Sequence, residues 1–89
     1  LIVEKSNIAF HIDWAWMSSY NKVCDILTEI TGIEPENVET ILEELDSPQE
    51  FPIPYLISCD KKFETEIIQA LKKLNTISNI HVPAERKVY

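Results

Sequence analysis

Residues 7–14 read Asn-Ile-Ala-Phe-His-Ile-Asp-Trp, and apolar side chains occupy every second position of this stretch. The alternating apolar set is Ile8, Phe10, Ile12 and Trp14. Successive side chains of a strand point to opposite faces, so the alternation predicts a first strand with one buried face. The same parity places Trp14 inside the protein.

Two helices are predicted after this strand. Ser18 and Ser19 can cap the first helix, and Gly32 is typical of the left-handed residue that ends one. The second begins at Pro35, a residue that suits the first helical position, and ends before Asp46. Its apolar residues recur at helical spacing. They are Val38, Ile41, Leu42 and Leu45.

A second strand, a third helix and a last strand complete the predicted elements. Pro52 and Pro54 lack backbone N–H groups, which predicts that strand 53–59 lies at an edge of the sheet. Asp60 is expected to cap the third helix, and the last strand covers 77–82. The apolar stripe of the third helix is Phe63, Ile67, Ala70, Leu71 and Leu74.

The order strand-helix-helix-strand-helix-strand predicts an α+β fold, a two-layer sandwich with three helices on one face of a small three-stranded antiparallel sheet. The chain is short enough for a single domain over 1–89, with an ordered core over about 7–83 and a charged tail over 84–89. The opposite sheet face is expected to be open. Its predicted residues are Ala9, His11, Asp13, Asn79 and His81.

Composition narrows the class of partner. The chain carries 15 Asp and Glu against 8 Lys and Arg, a formal charge of -7, which disfavours nucleic acid. No apolar run approaches a membrane span. The two cysteines, Cys24 and Cys59, are too few for a disulfide scaffold and lie among apolar neighbours, which predicts buried, inert thiols in a cytoplasmic protein.

Catalytic motifs are not found. A chain with one glycine has no glycine-rich phosphate loop, so we expect no enzyme activity and no cofactor. His11, His81, Cys24 and Cys59 stand at none of the short spacings typical of zinc sites, so no metal is expected. A small metal or thiol enzyme that uses these four residues is kept as a hypothesis beside the two binding functions given below.

The segment from 34 to 50 carries carboxylates and no Lys or Arg. These residues are Glu34, Glu36, Glu39, Glu43, Glu44, Asp46 and Glu50. Such a field of one sign either serves solubility or docks a basic partner, and it would speed the encounter with that partner.

Large side chains are concentrated between the first strand and the first helix. The stretch Trp14-Ala15-Trp16-Met17 is followed closely by Tyr20. A small core does not easily bury both tryptophans, so Trp16 and Met17 either close the end of the sheet or form an exposed anchor for a partner.

With this element order, Asn21-Lys22-Val23 and Thr31-Gly32 resemble the C-terminal domain of the bacterial ribosomal stalk protein, whose architecture the ClpS adaptor shares. The resemblance covers about residues 7–83. In the stalk domain, basic residues of the first two helices bind translation factors, and only Lys22 has a counterpart here. The equivalent stretch of this chain is acidic.

The ClpS adaptor builds a pocket for N-terminal residues at the end of its first strand. Asp13 and Met17 match that motif, whereas Ile12, Ala15 and Trp16 replace the rest of it. The resemblance therefore implies an adaptor-like architecture with a different binding surface.

The sequence predicts a non-catalytic, acidic module that binds another protein with a basic surface. The alternative is an immunity or inhibitor protein that neutralises a basic toxin or nuclease through its acidic second helix. The predicted partner-binding residues are Glu36, Glu39, Glu43, Glu44, Asp46, Glu50, Trp16 and Met17.

Overall fold

The first strand, β1, is the element around which the sheet forms. The structure is a computed structural model that describes residues 4–45 and 51–83. In chain order, its elements are strand β1 (Lys5–Ile12), helix α1 (Trp16–Thr31), a first 3₁₀ helix (Pro35–Thr40), strand β2 (Leu42–Glu44), strand β3 (Ile53–Asp60), a second 3₁₀ helix (Lys61–Phe63), helix α2 (Glu64–Lys72) and strand β4 (Ile77–His81).

The fold is α+β, as predicted, but the sheet has four strands and not three. The strand order is β2-β3-β1-β4, and every neighbouring pair is antiparallel. In the β1–β3 register, Ile8 lies opposite Ile57 and Phe10 opposite Tyr55. The element order β-α-β-β-α-β is that of the ferredoxin-like motif and differs from the predicted order.

Alternate residues of the strands form the core. Ile8, Phe10 and Ile12 of β1 are almost fully buried. They belong to one cluster with buried residues of β3, of both α-helices, of the first 3₁₀ helix and of β2. The other main members are Tyr55, Ile57, Val23, Leu27, Val38, Leu42, Ile67 and Leu71. Burying each large apolar side chain contributes about 1.5–3 kcal/mol, so this cluster is the main stabilising feature of the fold.

Helix α1 begins earlier than predicted. It starts at Trp16, after Ala15 adopts a left-handed φ of 52°. Ser18 and Ser19 therefore lie inside the helix, and no side chain caps it. The predicted end at Gly32 is confirmed, because Gly32 has a φ of 77° and its N–H donates to the Thr28 carbonyl.

The predicted second helix is wrong. Its first half is the 3₁₀ helix Pro35–Thr40, and its second half includes strand β2. Backbone pairing to β3 explains the change, since Ser58 N–H donates to the Ile41 carbonyl at 2.8 Å. Val38 and Leu42 are buried as predicted, but Leu45 is 51% exposed.

The predicted edge position of β3 is also wrong, because β3 lies between β2 and β1. The Pro54 carbonyl accepts from Leu45 N–H at 3.0 Å. The N–H and C=O of one residue point to the same edge of a strand, so an N–H at position 54 would point toward the β2 side. Strand β2 ends at Glu44, opposite Tyr55, so no residue of β2 needs this N–H as a donor. Proline is therefore tolerated at this inner position.

The last two elements follow the prediction more closely. Ile67 and Leu71 are the buried residues of α2, and β4 ends at His81, one residue before the predicted end. Asp60 is not a cap. Its carboxylate instead forms an ion pair with Lys5 Nζ at 2.7 Å, and the hydrogen bond from Lys5 lowers the pKa of Asp60.

Candidate functional site

The start of α1 presents an aromatic surface. Trp16 is 37% exposed and Met17 is 68% exposed. Trp14 is 54% exposed, so its predicted burial is wrong. The strand parity that placed Trp14 inside is lost because β1 ends at Ile12 and the chain reverses through the left-handed Ala15.

Buried polar contacts hold the start of α1 in place. Ser19 is 1% exposed, and its hydroxyl donates to Thr76 Oγ1. The same hydroxyl lies 3.3 Å from the Trp14 carbonyl oxygen. Asp13 N–H also donates to the Thr76 carbonyl, at 2.9 Å. These contacts join the first turn of α1 to the segment that leads into β4, and so fix the position from which Trp16 projects.

Four aromatic rings connect the core to this surface. The Trp16 and Tyr20 rings stack with centroids 5.3 Å apart and planes 27° apart. Tyr20 is 5.9 Å from Tyr55, and Tyr55 stacks on the buried Phe10 at 5.5 Å. Trp16 Nε1 donates to Tyr55 Oη, which in turn donates to Glu44 Oε1 at 3.4 Å. Core packing therefore positions the exposed Trp16 ring.

The acidic residues predicted for the site are divided between two elements. Glu36 and Glu39 belong to the first 3₁₀ helix, whereas Glu43 and Glu44 belong to β2. All four are exposed. The predicted site residues Asp46 and Glu50 lie outside the described residues.

The aromatic and acidic features meet in one groove of about 450 Å³. This acidic–aromatic groove is lined by Trp16, Tyr20, Tyr55, Leu42, Glu39, Glu43 and Glu44. Four of the predicted site residues therefore lie together, while Glu36 and Met17 do not line the groove. A volume of roughly 300–1,000 Å³ is typical of small-ligand sites, so the groove has room for one long side chain.

Three of the residues that line the groove are not among the predicted site residues: Tyr20, Leu42 and Tyr55. Tyr55 and Leu42 come from strands that pair with each other. The sequence predicts Leu42 only as part of an apolar helical stripe and predicts no role for Tyr55. No local motif marks Tyr55. Only the antiparallel pairing of β2 with β3, with Tyr55 opposite Glu44, brings it to the groove.

The electrostatic environment of the groove is negative. Burial raises the pKa of the Tyr20 hydroxyl, and the nearby Cys24 and Glu39 raise it further. Burial also raises the pKa of Tyr55, and Glu44 adds to that rise. Burial opposes a charge of either sign, but the carboxylates of Glu39 and Glu44 oppose only an added negative charge, so these carboxylates favour a cation over an anion.

We expect the free energy of unfolding to fall as the pH rises above 10. The pKa of Tyr20 and of Tyr55 is raised in the folded chain above the ordinary value of 10.0. The folded chain then keeps protons that the unfolded chain releases. This stabilisation is full below pH 10 and is lost as the pH passes through the raised folded-state pKa values.

Urea unfolding at a series of alkaline pH values measures this loss. Tyr55→Phe should show a shallower decline than the wild type, because the variant has one such phenol fewer. Cys24 and Cys59, whose pKa values burial also raises, contribute equally to both proteins. If the free energy of unfolding fell equally steeply with pH in both proteins, the raised pKa assigned to Tyr55 would be contradicted.

A larger groove, of about 660 Å³, lies at the opposite end of β1. It is lined by Glu4, Lys5, Ser6, Asn7, Lys61, Glu64, Val82 and Pro83. Its polar groups pair with one another: Lys61 Nζ lies 3.5 Å from Glu4 Oε2, and Ser6 Oγ donates to Glu64. Because both charge signs are present and partnered, it selects no class of ligand, and the acidic–aromatic groove is the better candidate despite its smaller volume.

The enzyme hypothesis uses His11, His81, Cys24 and Cys59. Cys24 and Cys59 are free thiols, half-buried and buried respectively, and burial raises the pKa of each. A raised pKa lowers the fraction of reactive thiolate. Within residues 4–45 and 51–83, no three His, Cys, Asp or Glu side chains come together in a group that could hold a metal ion.

The predicted open sheet face is assembled only in part, because Ala9, one of its predicted residues, is buried. His81 lies opposite Ala9 in the β1–β4 register, and Asn79 Nδ2 is 3.5 Å from His11 Nε2. Asp13 lies beyond the end of β1, and its carboxylate accepts a hydrogen bond from Ser78 Oγ at 2.9 Å.

None of three comparisons, with protein-family models, with curated proteins and with solved structures, finds a significant match to the chain. None of the helices in the described part of the chain is long and apolar enough to span a bilayer.

Proposed function

We propose that the protein is a non-catalytic module that binds another protein, one with a basic surface, through the acidic–aromatic groove. The observation that carries the proposal is the convergence of two features that are separate in the sequence. Trp16 and Tyr20 from α1 meet Glu39 and Glu44 from the acidic segment in one groove. Exposed aromatic anchors beside charged residues are typical of protein-binding surfaces.

The packing favours a two-layer arrangement, which belongs to the same proposal. The buried side chains of β1 alternate along the strand and share one cluster with Val23, Leu27, Ile67 and Leu71 of the two α-helices. Both helices then cover one face of the sheet, and the groove lies beside the edge strand β2. The adaptor-like role and the cytoplasmic location are parts of this proposal too, the latter supported by the two unpaired cysteines.

Two charge-matched double variants test the groove. The groove double combines Glu39→Lys with Glu43→Lys and changes two residues that line the groove. The control double combines Glu29→Lys with Glu36→Lys and changes two exposed residues that do not line it. Both doubles carry the same formal charge. We expect the groove double to weaken binding to the partner by on the order of tenfold or more, because it places two cations where the partner's cation binds. The control double should weaken it much less.

The measurement is affinity capture from the source cell at low and then moderate salt, followed by titration of the purified partner with each double. A partner held by the wild type and the control double but lost from the groove double supports the proposal. Equal binding to all three proteins contradicts it, since a surface outside the groove would then carry the interaction.

The second candidate is an immunity or inhibitor protein that neutralises a basic toxin or nuclease through the whole acidic segment. The observation in its favour is that Glu34, Glu36, Glu39, Glu43 and Glu44 are all exposed. Such a broad field makes Glu36 as important as Glu39. Glu36→Lys alone would then weaken binding about as much as Glu39→Lys alone, and binding would weaken steeply with salt.

A further inference from the structure

We infer that the group bound in the acidic–aromatic groove is an arginine side chain of the partner. The inference rests on the proposed function, because it names the occupant of the same groove. Three properties of the groove favour arginine: the groove selects a cation, a planar cation fits its rings, and its polar groups can accept several hydrogen bonds.

The walls of the groove select a cation. The faces of the Trp16, Tyr20 and Tyr55 rings carry the negative part of the aromatic quadrupole, which attracts a cation placed over them. The carboxylates of Glu39, Glu43 and Glu44 line the same groove. Aromatic faces and carboxylates therefore favour the same charge, and none of the described residues that line the groove is a Lys or Arg that would attract an anion.

The arrangement of the rings favours a planar cation. Trp16 and Tyr20 stack on each other with centroids 5.3 Å apart and planes 27° apart. A cage for a bulky methylated ammonium needs facing rings at least about 7 Å apart, twice an optimal contact of roughly 3.5 Å. The stacked rings leave no such gap, whereas a flat guanidinium can stack on the face of Trp16 that Tyr20 does not cover.

The polar groups of the groove favour a guanidinium, which has several N–H donors in a fixed plane, over the compact ammonium of a lysine. A guanidinium has five N–H donors in a fixed fork that matches carboxylate oxygens, and it is more weakly hydrated than an ammonium. Tyr55 Oη accepts from Trp16 and donates to Glu44, so the position of one carboxylate is tied to the ring stack. An arginine can use the ring face and a carboxylate at once, whereas a lysine loses more hydration for fewer fixed contacts.

The test uses three blocked pentapeptides with glycine at four positions and arginine, lysine or citrulline at the centre. Each is titrated into the full chain at constant ionic strength while the two indole N–H signals are followed by NMR. Trp16 reports on the groove, and the exposed Trp14, which does not line it, is the internal reference. Citrulline has nearly the shape of arginine without its charge.

We expect the arginine peptide to shift the Trp16 signal in a saturable way, with a Kd at least about threefold lower than that of the lysine peptide. The citrulline peptide should give no saturable shift. Glu39→Gln should weaken the arginine peptide, whereas Glu36→Gln, which removes the same charge outside the groove, should not. Neither exposed substitution removes a buried contact.

Equal or tighter binding of the lysine peptide would overturn the choice of arginine, and so would an arginine peptide that shifts Trp14 and Trp16 alike or shifts neither. These failures are distinct from failure of the proposed function. If the groove double still loses the protein partner, the groove binds it through a group other than arginine. If the groove double keeps the partner, the proposed function fails whatever the peptides show.

Discussion

Replacing Phe10 by alanine is expected to lower the free energy of unfolding by about 3–5 kcal/mol. Phe10 is 1% exposed and lies in β1, which is bordered by β3 on one side and β4 on the other. Its ring stacks on Tyr55 at 5.5 Å, so alanine would remove both the buried ring and the support beneath the groove. Because small domains are typically stable by only about 5–15 kcal/mol, the loss is a large part of the total.

Urea unfolding of the wild type and Phe10→Ala measures this effect, with Phe51→Ala as the matched control. Phe51 is 47% exposed, and an exposed substitution of this kind typically changes stability by less than about 0.5 kcal/mol. A loss below about 1 kcal/mol for Phe10→Ala would contradict its place in the core, since burial of a Phe ring is worth more than that.

Several elements could be predicted because their determinants are local. The alternation in β1 is long enough to fix the strand and its buried face, and Ile8, Phe10 and Ile12 are buried as expected. Gly32 ends α1 because a left-handed residue is strongly favoured there to be glycine. The apolar spacing in α2 likewise identified Ile67 and Leu71 as buried.

The second predicted helix could not be corrected from the sequence alone. Val38, Ile41, Leu42 and Leu45 fit a helical stripe, but Leu42 and Glu44 also fit one face of a short strand. The choice is made by β3, whose Ser58 N–H and Pro54 carbonyl pair with the 41–45 segment. The preference is therefore non-local, and local spacing favours the wrong alternative.

The groove was only half predictable for the same reason. Its aromatic and acidic parts stand out in the sequence, because large side chains or a single charge sign are concentrated there. Their meeting depends on Tyr55, which reaches the groove through the β2–β3 register. The distinction between Trp14 and Trp16 depends on one residue, Ala15, whose left-handed φ turns the chain between them.

Replacing Trp16 by alanine is expected to weaken binding of the partner by about 30-fold, which corresponds to the roughly 2 kcal/mol typical of a binding hot spot. Trp16 is the exposed end of the ring series and the donor to Tyr55 Oη, so it offers its free surface to the partner while the stack holds it in place. Its loss should also cost about 2 kcal/mol of stability, through one ring pair and one hydrogen bond. The variant should therefore remain folded.

Titration of the purified partner with Trp16→Ala, beside urea unfolding of the same variant, separates an anchor from a closing residue. Trp14→Ala is the matched control, since Trp14 is the more exposed of the two tryptophans and does not line the groove. Weak binding by Trp16→Ala with normal binding by Trp14→Ala identifies Trp16 as the anchor. If Trp16→Ala lost stability but bound normally, Trp16 would only cover the edge of the core, because a residue that contacts the partner must change the affinity when its ring is removed.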